Sequence, residues 1–537
     1  MNGFSVFDIF QSGVVLQRNK PIKIWGKAEN GSSIKVTMLN CKQAVIAEAT
    51  AIADCDEWSV TLSACDAGVD YQLILECNEY EKQIIISDVS IGDVWLAGGQ
   101  SNMEFFLRYD EEWDCVKDYS HNKNIRMYNV PQLAFKGHQR DTTGWGKWIS
   151  EGDVGFETFS AVGYSFARNI QPEIGVPIGI IGCYWGGTTA TAWLDENVLN
   201  KDPLSIYLEE YEEALKLYTP EEMAQISLKA WEFETSKKHE QEFMPLLYGR
   251  EWDWQEQYMK EHATDPVIPM GPYSINRPGG LFHEMLEPLI PFAIKGVLWY
   301  QGESDVIHAE MYDILLSSLV QYWRMRWDDD FPFLFVQLAP FGKWLQCDAI
   351  RYHILRERQE MVCENLSNTG MVSIMDIGSF YDIHPKKKLE VGRRLALLAR
   401  GKVYGEDILC ESPKIQDISL NDSRTKIVLV FSHCKNLSVK ELDTKPLNVP
   451  MEIENTKEYP FSKIISNERI KSFCVEQNGK RILIREIIIA DNKIVLSIDE
   501  LDQLPYTVSL GYADYAEINV VNEIGLPIKP FCKTISD

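Results

Sequence analysis

Between residues 91 and 400 the chain returns repeatedly to short, almost unbroken apolar runs: Val94–Ala97, Val176–Cys183, Ile294–Tyr300, Pro332–Leu338 and Met371–Met375. A strand that is apolar at nearly every position must be covered on both faces, so these runs predict a parallel sheet rather than a half-solvated antiparallel one. Segments of helical period lie between them, notably Ser160–Ile170 and Leu389–Arg400, and supply the covering layers. The expected fold class is therefore α/β, a parallel sheet between helices. In such sheets ligands bind beyond the carboxyl ends of the strands, and those ends are where a site is sought.

The flanks read differently. Residues 4 to about 90 carry short alternating runs, Ile22–Trp25, Ser33–Thr37, Tyr71–Leu75 and Gln83–Ile86, separated by turn residues such as Asn30-Gly31. From about 405 the alternation resumes in Thr425–Phe431, Lys480–Ile484 and Lys493–Ile498, and Gly525–Phe531 closes the chain. Both flanks predict β-sandwich-like domains. A chain of 537 residues is too long for one core, and the division expected is 1–90, 91–404 and 405–537. A helical insertion with acidic faces is expected at about 196–275, its Trp231, Trp252, Trp254 and Tyr258 serving packing or, alternatively, sugar stacking.

A formal charge of −26 opposes nucleic acid and anionic membrane as partners. No basic, apolar and small-residue leader is visible at the start, and no eighteen apolar residues run together. The cytoplasm is the expected location, with secretion or the periplasm if the natural chain begins earlier. The twelve cysteines are scattered singly, which predicts reduced, buried thiols and no disulfide framework. The sequons at Asn30, Asn365, Asn421 and Asn436 are then chance matches. The sequence carries no signature of an oligomeric state.

Four strand ends hold the chemistry. The first run enters Gly98-Gly99-Gln100-Ser101-Asn102-Met103-Glu104, where a sharp turn exposes a serine at a helix start. Alone, that is an ordinary capping serine; with a base and oxyanion donors it is a nucleophile. The second ends in Tyr184-Trp185-Gly186-Gly187-Thr188, whose glycines let backbone N–H groups approach an anion. The third ends in Gln301-Gly302-Glu303-Ser304-Asp305: Gln301 is a neutral amide donor, and Glu303 with Asp305 a weaker candidate for a glycosidase carboxylate pair. After the last run, His384 stands in a polar loop two residues beyond Asp382, as a base held in one tautomer would. No spacing fits a metal site, a phosphate-binding loop, a dinucleotide fingerprint or a G-x-S-x-G elbow, so no metal and no cofactor are expected.

Taken together, GQSNM (99–103), WGGT (185–188), WYQGESD (299–305) and DIHPKKKLEVGRRLA (382–396) resemble the sialate O-acetylesterase-like carbohydrate acetylesterases of the SGNH hydrolase superfamily. VVLQRNKPIKIWGKA (14–28) and GLPIKPF (525–531) extend the likeness beyond the chemistry. The resemblance implies a flavodoxin-like three-layer α/β/α catalytic domain and cofactor-free hydrolysis through an acetyl-serine. Ser101 would attack and His384 would act as base, oriented by Asp382. The oxyanion would lie against the N–H groups of Ser101 and Gly187 and the side chain of Gln301, with Gln100, Asn102 and Glu303 in support. Two departures are visible. Gln301 stands where the wider superfamily has Asn, and Tyr381 occupies the position three before His384, so Asp376 or a backbone carbonyl remains open as the orienting group. The expected substrate is a small-molecule or oligosaccharide acetyl ester, O-acetylated sialic acid first. Acetylxylan or a general short-chain ester is the alternative, and a non-catalytic carbohydrate-binding protein the competing class. An anionic sugar would call for a cation, with Arg108 and Lys386 as candidates.

Overall fold

A computed structural model of the chain describes residues 3–118, 121–135, 138–139, 144–236, 248, 267–344, 347–441, 470, 472–501 and 504–536. Its organising element is β1 (Tyr80–Gly99), a single strand of 20 residues. The first half of β1 pairs antiparallel with Gly68–Cys77, and its Ser90–Gly92 stretch pairs parallel with Val15–Gln17. The second half enters the central sheet. The chain therefore passes position 90 inside a strand, without a loop.

The sheet adds β2 (Ile125–Asn129), β3 (Trp148–Ser150), β4 (Ile178–Tyr184), β5 (Gly296–Tyr300), β6 (Phe333–Val336) and β7 (Thr369–Val372), in the order β3-β2-β4-β1-β5-β6-β7. Every neighbouring pair is parallel except β3 with β2. β2 is a strand the apolar pattern misses. All five of its residues are buried, but Arg126 interrupts the run, its guanidinium satisfied by the Asp88 carbonyl and carboxylate.

Register shows how both faces are filled. Trp95 lies opposite Gly296, and Gly98 opposite Trp299, so each indole covers a glycine. Trp95 and Gly98 are three residues apart on one strand and point to opposite faces. Trp95 packs at 4.9 Å on Phe166 of α2 (Ala161–Ile174), whereas Trp299 packs at 5.5 Å on Trp323 of α3 (Tyr312–Trp327). Helices thus cover the two faces separately. α4 (Tyr352–Asn365) packs beside α3, and α5 (Lys388–Lys402) packs on α2. At that second crossing a Cβ on Gly392 would stand 2.4 Å from the Val162 carbonyl oxygen, so the two helices meet backbone to backbone. Ser160 caps α2, accepting the Gly163 N–H at 3.0 Å.

Both flanks are β-rich. Residues such as Ile24, Val36 and Leu73 share one continuous apolar cluster with the central sheet, whereas a second cluster gathers residues 427 to 531 with Met375. In the C-terminal part the expected strand Lys480–Ile484 is corrected. Lys480–Arg481 and Ile484–Ala490 are separate strands in different four-stranded sheets, so the chain changes sheet between them. Within 196–275, where a helical insertion is expected, lie helices Ser205–Leu215 and Pro220–Glu234, the second opened by a reciprocal Thr219/Glu222 cap; 237–247 and 249–266 are outside the described residues. The cysteines are free, but the expectation that they are buried holds for only Cys77, Cys183, Cys410 and Cys474; Cys41, Cys55, Cys115 and Cys347 are exposed. Among the described residues no helix is long and apolar enough to cross a membrane.

Candidate active site

β1 lies at the centre of the sheet, flanked by β4 and β5, and ends on Gly99 with φ +134°. A Cβ there would fall 2.1 Å from the Tyr300 carbonyl oxygen, so only glycine lets the chain leave the sheet at this point. Ser101 follows as the first residue of the short helix α1 (Ser101–Glu104), and its backbone N–H has no partner among the described residues. The Gln100 side chain braces the turn, its Oε1 accepting the Gly302 and Ser304 N–H groups at 3.3 and 3.4 Å.

The loop after β4 is held against this turn. Glu104 accepts the Gly186 N–H at 2.6 Å, and a Cβ on Gly186 would be 3.3 Å from that of Ser101. Asn276 Nδ2 donates to the Gly187 carbonyl at 3.1 Å, and its Oδ1 accepts the Thr189 N–H at 2.8 Å. Between them Gly187 is exposed, has φ +75°, and keeps its N–H without a partner among the described residues. Two backbone donors therefore stand available beside Ser101.

Gln301 is placed differently from the expectation. It is fully buried; its Nε2 donates to the Thr188 carbonyl at 3.1 Å and to Asp305, while its Oε1 accepts the Tyr312 hydroxyl at 2.9 Å. Both amide hydrogens are spent, so in this geometry Gln301 fastens the Gly187 loop rather than presenting a third donor. Glu303 and Asp305 are buried acceptors that face Asn102 and Gln301 respectively, which removes the glycosidase-pair reading. Burial pushes Glu303 up to about 7 and Asp305 up to about 6.

The segment around Ser101 is fastened to the segment around His384 at several points. Asn102 Nδ2 donates to the Ile383 carbonyl at 3.0 Å and to Glu303, while its Oδ1 accepts from Lys388 Nζ at 2.7 Å. The Glu111 N–H donates to the Lys386 carbonyl at 3.1 Å, and Asp110 accepts the Leu389 N–H at 2.9 Å, at the start of α5. One amide side chain beside the serine thus holds the residue before the histidine.

His384 is buried, walled by the Tyr248 ring at 4.9 Å and the Trp344 ring at 5.1 Å. That desolvation, with the charges of Lys386 and Lys388, holds its pKa well below 6.5, so the imidazole is neutral and competent as a base. Its Nδ1 has no hydrogen-bond partner among the described residues; Asp382 Oδ1 lies 3.9 Å away, beyond hydrogen-bond length. Asp382 is itself fixed, accepting the His384 N–H at 2.8 Å and pairing with Lys386 at 3.0 Å. The alternative Asp376 is spent on a two-point pair with Arg394 and a further one with Lys440 at 2.9 Å. The other alternative, a backbone carbonyl on Nδ1, is not formed.

Lys388, Tyr248 and Trp344 are site residues that sequence reasoning missed. Of the aromatic residues singled out for sugar stacking, Trp231 is buried against Trp185 and Phe135. Trp252, Trp254 and Tyr258 lie outside the described residues. Away from the site, the fold brings Asp195, Glu196 and His283 together, with potential ligand atoms within 4.8 Å. These atoms already pair with one another and with their neighbours: His283 is bracketed by Glu196 and Glu287 at 2.9 Å each, and Asp195 accepts from Tyr322 at 2.8 Å.

Comparison with known proteins finds carbohydrate esterases. A family model described as "Carbohydrate esterase, sialic acid-specific acetylesterase" matches residues 276–399. The chain is 24% identical over 479 residues to mouse sialate O-acetylesterase, covering 83% of this chain and 82% of the mouse protein. It is 25% identical over 474 residues to the human sialate O-acetylesterase, with 82% and 79% covered. A solved carbohydrate acetylesterase from Xanthomonas citri superposes with a TM-score of 0.70 at 26% identity, covering 98% of this chain and 99% of that one. The resemblance carried by the motifs therefore runs along the chain, and these relatives are carboxylic ester hydrolases.

Proposed function

We propose that the chain is a serine carbohydrate esterase that removes O-acetyl groups from sugars, O-acetylated sialic acid first among them, through an acetyl-serine intermediate. One observation carries this reading. Asn102, the residue after Ser101, grips the residue before a buried, neutral histidine, while the N–H groups of Ser101 and Gly187 remain undonated among the described residues.

In the reaction Ser101 Oγ attacks the acetyl carbonyl carbon and its proton passes to His384. The oxygen that becomes negative lies against the Ser101 and Gly187 N–H groups, with removal of one such donor worth about 3–4 kcal/mol of barrier. Collapse returns the proton to the sugar oxygen, which leaves as a hydroxyl. Water, activated by His384, repeats the sequence and releases acetate. Asp382 orients the imidazole, its 3.9 Å separation shortening as positive charge develops on the ring. Gln301 serves by holding Thr188 and so the Gly187 loop.

At the level of fold, this reading makes the central unit, 91–404, an SGNH-type three-layer α/β/α domain, supported by parallel pairing and by helices on the two faces of the sheet. Residues 1–90 and 405–537 are its β-rich flanking domains. The test is acetate release from O-acetylated sialic acid, acetylated xylooligosaccharide and p-nitrophenyl acetate, by the native chain and by Ser101→Ala. Highest kcat/KM on the sialate, abolished in the variant, is the expected result. A preference for xylooligosaccharide would move the substrate to acetylxylan, and full activity in Ser101→Ala would overturn the nucleophile.

A further inference from the structure

A protein with a formal charge of −26 repels an anionic substrate from a distance, so recognition of one has to come from an uncompensated cation close to the site. Most cations near Ser101 and His384 are already engaged. Lys386 pairs with Asp382 at 3.0 Å, Lys387 with Glu111 at 3.6 Å, and Lys388 is buried on Asn102 at 2.7 Å. Arg108 is not, and although Arg277 beside Asn276 and Lys343 beside Trp344 are also without an ion pair among the described residues, Arg108 is the one that lies on the rings leading to His384. Among the described residues it has no carboxylate partner, and its one hydrogen bond runs from Nη2 to the Tyr109 hydroxyl at 3.2 Å. The nearby acid, Asp110, accepts the Glu112 and Leu389 N–H groups, both at 2.9 Å.

The guanidinium is also held in place. It lies over the Phe106 ring at 5.2 Å and the Tyr109 ring at 5.0 Å, and the residue is half-buried. Those rings continue towards the imidazole: Tyr109 stacks on Tyr248 at 5.5 Å and 21°, and Tyr248 meets His384 at 4.9 Å. An aromatic wall therefore runs from the base to a planar cation with most of its N–H donors unspent. A guanidinium pre-set on aromatic faces presents parallel N–H groups that match a carboxylate.

We infer that Arg108 is a specificity-determining residue that takes the carboxylate of an acidic acetylated sugar, with the sugar ring beside the half-buried Tyr109, which the buried Tyr248 backs, and the ester at Ser101. This rests on the proposed esterase function and names what selects its substrate. Lys386, the other cation considered from the sequence, is excluded by its pairing with Asp382.

The test compares kcat/KM for O-acetylated sialic acid with that for its carboxyl methyl ester, each normalised within one enzyme, in the native chain, Arg108→Lys and Arg108→Met. A two-point charged contact predicts that the native chain prefers the free acid by about ten- to hundredfold, expressed in KM. Arg108→Met should bring the ratio close to one, and Arg108→Lys should fall between. Equal use of acid and ester by the native chain, or a preference that survives in Arg108→Met, would overturn the inference while leaving the esterase reading intact. A native chain that cleaves other acetyl esters but neither sialate would overturn the substrate reading and this inference with it. Thermal unfolding of each variant confirms that the ratios come from folded protein.

Discussion

At the scale of single residues, the site depends on groups whose protonation is set by burial. His384 is the decisive case. Its pKa is depressed first by desolvation between Tyr248 and Trp344 and then by the like charges of Lys386 and Lys388. A depressed pKa means that the neutral base persists as the pH falls, so the acid limb of kcat/KM should lie below pH 6.5. A limb at or above 6.5 in a pH–rate profile would contradict this account of the histidine. The same shift acts on stability: below 6.5 the unfolded imidazole gains a proton that the native one refuses, so this residue subtracts from stability as pH falls through that window. Lys388 makes the link testable from the other side. In Lys388→Met a like charge disappears, so the acid limb should move to higher pH. Asn102 Oδ1 loses its donor, at a cost of about 1–3 kcal/mol in stability. Reduced stability with an unmoved limb would show that Lys388 is structural alone. The sequence conceals this residue: Lys386-Lys387-Lys388 reads as a solvated basic run, yet the fold sends its members to Asp382, to Glu111 and into the interior.

At the scale of elements, the fold brings the carboxyl ends of the strands together, and that much was legible. Continuous apolar runs marked β1, β4, β5, β6 and β7 because strands covered on both faces leave no polar positions to confuse the period. β2 escaped because its buried Arg126 is paid for by Asp88, a partner 38 residues away that no local window contains. The bonding of Gln301 is hidden for a related reason. An amide at a strand end looks available until Thr188, Asp305 and Tyr312 are seen to use all of it. Helix packing was equally invisible. Gly392 reads as an ordinary helical glycine, whereas its Cβ position lies 2.4 Å from the Val162 carbonyl oxygen and 2.6 Å from Ser165 Cβ. Gly392→Ala should force α2 and α5 apart and destabilise the chain by about 1–3 kcal/mol in chemical denaturation. Because α5 begins at Lys388, kcat should fall as well. A variant as stable and active as the native chain would mean that the crossing yields without cost.

At the scale of the whole molecule, the chain order of Ser101, Gly187, Gln301 and His384 carries the resemblance, while their spatial meaning comes from the sheet. β1 is central, its neighbours lie on either side, and the ends of β1, β4 and β5 converge where Ser101 leaves the sheet. Nothing local in the sequence says that Asn102 should reach Ile383, a contact spanning 281 positions; only the assembled fold supplies it. Nor does local alternation reveal that β1 runs unbroken through position 90 and carries the N-terminal β region into the same apolar cluster as the central sheet. In the proposed reaction this assembly makes Ser101 a nucleophile that carries the acetyl group between sugar and water. The most direct test is a rapid acid quench of the native chain during turnover of an O-acetylated substrate, followed by mass-spectrometric location of any protein-bound acetyl group. One acetyl is expected on Ser101, absent in Ser101→Ala. An acetyl on any other side chain, or undiminished labelling in that variant, would contradict it.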